Sequence, residues 1–345
     1  MIKPRYAPAL ALALALVCGA AHASASAGHF TFKDWEVACD NTRRCEAAGY
    51  QKEDAVEPVV LALARDAGAT APVSLKLSPY TDDDAKLGPL TVQVGQTTVR
   101  GLRADAELTP GQVARLLPLL LNADSAKVSA GKRSWTLSLA GLKAALLKLD
   151  DVQGRVGTPT ALAMPGAKPA SAVLPPLPAP QVKQLPAVAT RKEDAKLLPL
   201  IVKTLKHGGC ESPVDLVEGE RQNELHRLSA SQVLLVLECG RGAYQSSFEL
   251  WTASDKAPYA PKPVKLPDAN GRRDAYLMNP GFDNNQLTSF GKGRGIGDCN
   301  ASATWAWTAT GFQLIEASSG QLCRGIPGGY PLRDYTATVI HPAGK

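Results

Sequence analysis

A chain of 345 residues, 45% of them apolar, is long enough to bury two hydrophobic cores. Its formal net charge is +6, and this falls to about +4 if Lys3 and Arg5 are removed with a leader. The basic residues are scattered in short pairs such as Arg43-Arg44 and Arg272-Arg273, with no stripe of Lys and Arg interleaved with aromatics, so no nucleic-acid partner is implied.

Residues 1–27 read as a cleavable signal peptide. Lys3 and Arg5 precede an Ala/Leu run over 9–17, and small residues at Ala21-His22-Ala23 and Ala25-Ser26-Ala27 offer cleavage sites. The run is shorter than the about 20 apolar residues of a membrane-crossing helix, so the mature chain is expected to have no transmembrane segment and to work in a periplasm. Val17 stands where an acylated Cys18 would need a small residue, which argues against lipidation. Six cysteines then remain: Cys39, Cys45, Cys210, Cys239, Cys299 and Cys323. An even set with no Cys-x-x-Cys and no His at zinc-finger spacing points to disulfides, and no metal or cofactor is assigned.

Short strands are predicted over 35–39, 58–65, 73–77, 90–94 and 97–100, with Gly95-Gln96 as a hairpin turn. Leu61/Leu63 and Val73/Leu75/Leu77 alternate with smaller or polar neighbours, the period of a sheet with one buried face. Thr109-Pro110-Gly111-Gln112 is a capping box that opens a helix carrying Val113, Leu116, Leu117 and Leu120, which Pro118 should kink or end early. A second helix is signalled by Leu139, Leu142, Leu146 and Leu149 and should end around Gly154 and Gly157. Both helices are expected to cover the open face of the sheet.

Residues 158–190 carry Pro159, Pro165, Pro169, Pro175, Pro176, Pro178, Pro180 and Pro186. Proline removes backbone donors and favours extended polyproline conformation, so this stretch is expected to be an exposed, semi-rigid spacer that cannot pack. Beyond it, residues 194–205 suit a helix broken by Pro199, residues 232–239 a central strand, and the alternation of Tyr244, Ser246, Phe248 and Leu250 a further strand. Trp305 and Trp307 share a strand face, and Phe312 and Leu314 follow across Thr310-Gly311, so the two pairs can meet in a hairpin. Loops around 258–270 should partly cover the strand edges. The expected architecture is α+β, with an N-terminal antiparallel β domain under two helices (28–157), a Pro/Ala-rich spacer (158–190) and a C-terminal, mainly antiparallel β domain (191–345).

With the spacer between them, Cys39 and Cys45 are expected not to pair with the other four. The simplest set is Cys39–Cys45, Cys210–Cys239 and Cys299–Cys323, although six cysteines allow about 15 connectivities.

The segments Phe32-Lys33-Asp34-Trp35-Glu36-Val37-Ala38-Cys39 and Cys45-Glu46-Ala47-Ala48-Gly49-Tyr50 resemble a secreted proteobacterial family, domain of unknown function 1176. So do Ser138-Leu139-Ala140-Gly141-Leu142, Asp151-Val152-Gln153-Gly154-Arg155 and, most specifically, Gly293-Arg294-Gly295-Ile296-Gly297-Asp298-Cys299. The first block is also similar to secreted proteins of the invasion-associated locus B type. The first resemblance spans nearly the whole mature chain and implies export and an unassigned role; it supplies no catalytic residue.

The glycines over 291–297 lack both a Gly-Lys-Ser/Thr ending and Gly-x-Gly-x-x-Gly spacing, so a structural turn locked by Cys299 is favoured over a phosphate loop. Were the loop to bind, Arg294 would pair with a carboxylate or sulfate and Asp298 would orient it. Asp82-Asp83-Asp84 lacks the alternating ligands of a calcium loop. His29, His207, His226 and His341 are scattered, with no His-Glu-x-x-His and no Gly-x-Ser-x-Gly. Trp305 and Trp307, with neighbouring aromatics, are candidates for a glycan-stacking face, weighed against core packing. The functional expectation is a non-enzymatic binding or interaction module of the cell envelope, its partner an envelope protein or glycan. The alternatives are an envelope hydrolase with dispersed catalytic residues and an envelope stress or host-contact factor.

Overall fold

The strand expected from Trp35 has further strands on both sides of it. The computed structural model describes residues 28–83, 86–205 and 221–341; residues 1–27, with the expected signal peptide, and Asp84, His207 and Cys210 lie outside these. Gly28–Phe32 (β1), Trp35–Cys39 (β2), Cys45–Tyr50 (β3), Val59–Arg65 (β4) and Val73–Pro79 (β5) form an antiparallel meander in that order. The register pairs Val37 with Ala47, Ala47 with Leu63 and Leu63 with Leu75, so one face of the meander is apolar apart from Arg65, which stands between Cys45 and Val73. That face enters the main core. The opposite face is also buried, contrary to the one-sided sheet expected: Ala38, Ala48, Tyr50 and Val60 pack against Leu322, Ile326, Tyr330 and Leu332 from the far end of the chain. Burial on both faces explains why β2 and β4 read as almost continuous apolar runs.

The pair Leu90–Val94 (β6) and Thr97–Leu102 (β7) turns at Gly95 as expected. It belongs, however, to a second sheet of order β7-β6-β8-β9, completed by Ser125–Ala130 (β8) and Arg133–Ser138 (β9). Pro110–Leu120 (α1) starts with the full capping box and stops at Leu120, just past Pro118. Leu142–Val152 (α2) buries Leu142, Ala145, Leu146 and Leu149 and ends before Gly154, which takes a positive φ. Both helices contribute to the core between the two sheets.

The Pro/Ala-rich stretch does pack, which corrects the expectation that it stands off as a spacer. Proline lacks a donor but keeps its carbonyl: Pro175 O accepts from Arg43 and Pro180 O from the Thr338 amide. The residues between the prolines do the rest. Ala161, Val173 and Val182 are buried, Leu174 exchanges backbone hydrogen bonds with Gln153 and Gly68, and Gln181–Lys183 (β10) adds a parallel strand to Thr338–Ile340.

Asp194–Val202 (α3) runs through Pro199 instead of breaking there. Glu224–Arg227 (β11), Gln232–Arg241 (β12) and Ser246–Ser254 (β13) form an antiparallel sheet extended on the β13 edge by Lys262–Pro263 (β14). The strands Leu266–Pro267 (β15) and Arg273–Asp274 (β16) pair with each other, and Tyr276–Met278 (β17) pairs with β13. Gly281–Asp283 (β18), Gln286–Lys292 (β19), Asn300–Thr308 (β20), Gly311–Gly320 (β21) and Leu332–Thr336 (β22) make a second antiparallel sheet, in that order. Thr338–Ile340 (β23) is the strand that pairs with β10. Leu234, Val236, Phe248 and Leu250 of one sheet meet Leu287, Trp305, Phe312 and Leu314 of the other in a shared core. Ile201 of α3 covers Val233, Leu235 and Leu237 on the outer side of β12, so this strand too is buried on both faces.

Cys39–Cys45 and Cys299–Cys323 are bonded as the simplest pairing predicts. Cys239 is also disulfide-bonded, while its expected partner lies outside the described residues. Among the described residues, no helix is long and apolar enough to cross a membrane.

Candidate functional site

The four residues singled out from sequence do not converge on one surface. Arg294 lays its guanidinium along the Asp298 carboxylate, with Nε donating to Oδ1 at 2.7 Å and Nη2 to Oδ2. Asp298 also accepts the Gly325 amide at 2.6 Å. Burial alone would raise its pKa, but the Arg294 and Gly325 hydrogen bonds outweigh this and hold it below the usual carboxylate range. The pair ties the glycine loop to the loop after Cys323. A Cβ on Gly293 would lie 2.6 Å from the Cys299 sulfur, and Gly297 has a φ of +68°, so both glycines are needed for the turn itself. Asp298, Cys299 and Cys323 come close together, but both sulfurs are spent in the disulfide, which leaves no thiolate for a metal.

Trp307 is 8% exposed and packs on Phe312 with ring centroids 4.9 Å apart; its indole N–H meets no partner among the described residues. Trp305 donates to the Pro267 carbonyl at 2.7 Å. Both are core residues, yet an edge of Trp305 reaches a cleft of about 390 Å³.

That cleft is the candidate site. Its floor is the small-residue stretch of β20 and β21, including Ala301, Ala303 and Ala317, and the short side chains leave the space. Its walls are Gly28-His29 of β1, Asp334 of β22 and residues 268–270 and 272. It therefore lies where the N-terminal meander meets the last sheet. Ser302 and Ser318 hydrogen-bond each other at 2.9 Å on the opposite face of these strands from Ala303 and Ala317.

His29 is the centre of a buried polar chain. Its Nε2 donates to Glu36 Oε2 at 3.0 Å, and its Nδ1 is 3.1 Å from both Asp334 Oδ1 and Ser319 Oγ. Glu36, with no solvent exposure, also accepts from Tyr50 Oη at 2.5 Å and from the Gln321 amide at 2.8 Å. Ser319 Oγ donates to Asp334 Oδ2 at 2.6 Å. Burial would lower the His29 pKa, but the hydrogen bonds and charges of Asp334 and Glu36 raise it to about 9, so the ring is a cation at neutral pH. Burial, reinforced by the Glu36 charge and hydrogen bond, pushes the Tyr50 hydroxyl well above its ordinary range.

Around this chain the two ends of the molecule are tied directly. Arg333 pairs with Asp40 and Arg324 with Asp34, Gln51 donates to the Arg324 carbonyl at 2.6 Å, and Asn41 exchanges two hydrogen bonds with Thr336.

Sequence reading set His29 aside as one of four scattered histidines and did not single out Ser319. The available signal was Glu36, a carboxylate inside the apolar strand Trp35-Glu36-Val37-Ala38-Cys39, which needs a buried partner. What no local pattern could supply was the partner's identity, since Asp334 and Ser319 lie about 300 residues further along.

Asp150, Gln153 and Arg155, at and beside another family-like block, are buried and structural. Arg155 donates to Gln153 Oε1, Thr160 Oγ1 and the carbonyls of Asp66 and Gly68, while Asp150 Oδ2 accepts the Leu162 and Ala163 amides. Together they fasten the start of the Pro/Ala-rich stretch. Asp83 of the acidic triplet forms a bidentate pair with Arg133 at 2.8 and 2.6 Å.

The family described as a protein of unknown function, DUF1176, matches residues 29–339. The uncharacterized protein YpfG of Escherichia coli (strain K12) is 30% identical over 317 residues, covering 85% of this chain and 88% of its own length. No solved structure matches. A match that runs from His29 in the first strand to Val339 in the last takes in both sheets that wall the cleft and all the blocks discussed above, and the chain belongs to the DUF1176 family.

Proposed function

We propose that this protein is an exported binding module of the cell envelope that takes a polyhydroxylated ligand, a glycan strand, in the cleft beside His29. Export is supported by the leader-like residues 1–27 and by the oxidised cysteine pairs. The observation that carries the ligand assignment is the lining itself. The Ser319 hydroxyl, the His29 ring, the Asp334 carboxylate and Trp305 surround a floor of Ala301, Ala303 and Ala317, a mixture of polar groups and one aromatic ring that matches a sugar.

Binding is favoured over hydrolysis by the protonation of His29. Ser319 and His29 stand at the distance of a nucleophile and its base, but a ring charged by two carboxylates has no lone pair to receive the serine proton. The hydroxyl hydrogen is moreover directed to Asp334.

The test is a titration of the mature chain with soluble peptidoglycan fragments, followed by tryptophan emission and by product analysis. Saturable binding without cleavage is expected, and Ala301→Trp, at an exposed lining position on the face of Ser319, should abolish it while the fold is retained by circular dichroism. Cleavage of the fragments that disappears in Ser319→Ala would replace this reading by the hydrolase.

A further inference from the structure

A second cleft, of about 850 Å³, shares no lining residue with the one at His29. It arises where the cover on the N-terminal meander runs out. The segment ending in Ile326 and Tyr330 covers the outer faces of β2, β3 and part of β4 but leaves that of the edge strand β5 open. On β5, Leu75 and Leu77 point to the core, so Lys76 and Ser78 face the opening. The remaining walls are residues 79–81 and 86–89, which lead from β5 to β6, and residues 103–105 after β7.

Three cations line this space: Lys76, Lys86 and Arg103. Arg103 and Lys86 are exposed, and Lys76 lies over the Tyr330 ring, 5.1 Å from its centroid. Asp105 is the one carboxylate in the lining, and Glu107 stands across a backbone bridge from Lys76. Among the described residues, none of the three cations forms an ion pair. This contrasts with Arg44, Arg133, Arg324 and Arg333 nearby, each held by a carboxylate. The rest of the lining is largely apolar: Val60, Pro79, Leu87, Pro89 and Ile326, with Tyr80 and Tyr330. A small inorganic anion would leave most of such a cavity empty. The volume and the apolar walls suit a ligand with a body of its own.

We infer that this cleft binds an amphiphilic anion, its acidic head group taken by Lys76, Lys86 and Arg103 and its apolar part lying against Leu87, Ile326 and Tyr330. The head group gains charge-assisted hydrogen bonds from cations that have no carboxylate to give up, and the apolar part removes exposed hydrocarbon surface from water.

Isothermal titration of the full mature chain with octyl phosphate, kept below its micellar concentration, tests this. One site per chain is expected, with affinity at least tenfold above that for inorganic phosphate and falling as salt is raised. Arg103→Ala and Lys76→Ala should each weaken it about tenfold, while Lys196→Ala on the exposed side of α3 should leave it unchanged. Arg103 lies on an exposed loop, so its replacement leaves the fold intact even if Lys76→Ala disturbs β5. Absence of binding, equal affinity for inorganic phosphate, or unchanged affinity in Arg103→Ala would each overturn the inference.

Discussion

Glu36 is a fully buried carboxylate in the second strand, and a charge there is tolerable only with a counter-charge and filled lone pairs. His29, Tyr50 and the Gln321 amide supply both, so the titration of His29 is felt by the fold. Its folded pKa of about 9 lies above the unfolded 6.5. The resulting stabilisation is therefore complete below pH 6.5 and is lost as pH rises through 9, and it amounts to about 3 kcal/mol. Urea unfolding of wild type and His29→Gln should differ by about that amount at pH 6 and converge above pH 9; a constant difference across the range would refute the assignment.

Two glycines of the family-like blocks have equally specific reasons. A Cβ on Gly49 would sit 2.0 Å from the Trp35 indole, and one on Gly141, at a φ of +103°, would sit 1.8 Å from the Phe32 carbonyl oxygen. Gly49→Ala should cost about 3 kcal/mol or more, at the upper end of overpacking penalties, whereas Gly111→Ala, with open space around it in the first turn of α1, should cost nothing measurable by denaturant midpoint. The glycine over which Trp35 lies also explains why β3 escaped sequence reading: Glu46-Ala47-Ala48-Gly49 has poor strand propensity because the indole occupies the space where a larger side chain would be.

At the scale of elements, what was legible was local. The capping box at Thr109, the Gly95 turn and the hairpin pairing Trp305 with Leu314 and Trp307 with Phe312 are all encoded within a few residues of each other. The 158–190 stretch was misread because proline content was taken as an inability to pack, when the carbonyls and the intervening Ala161, Val173 and Val182 were enough. Strands β8 and β9 do alternate, burying Ala126, Val128 and Ala130 and then Trp135 and Leu137, but with two alanines and one valine on the buried face of β8 the apolar signal is weak. Arg155 is the latch of the misread stretch. Arg155→Lys cannot reproduce its several directed hydrogen bonds, so limited proteolysis should cut within 158–174 much faster in the variant than in wild type; equal rates would show that the stretch is held by other means.

At the scale of the molecule, the last strands return to the first. By a chain-entropy argument the Cys299–Cys323 bridge contributes about 3 kcal/mol, and it holds the loop that carries Arg324 onto Gln51 and Asp34. The Arg294–Asp298 pair, first read as a possible anion site, supports the same loop through Gly325. The candidate site was illegible in the sequence for this reason: its floor, walls and polar chain come from both ends of the chain, and each part on its own reads as ordinary strand.

The central claim, that the cleft at this meeting point is where the ligand binds, is tested most directly by amide hydrogen exchange of the mature chain with and without soluble peptidoglycan fragments. The account predicts slowed exchange in residues 28–32, 268–272, 300–303 and 317–321, with little change elsewhere. Unchanged exchange in these segments at saturating fragment, or protection confined to other parts of the molecule, would contradict it.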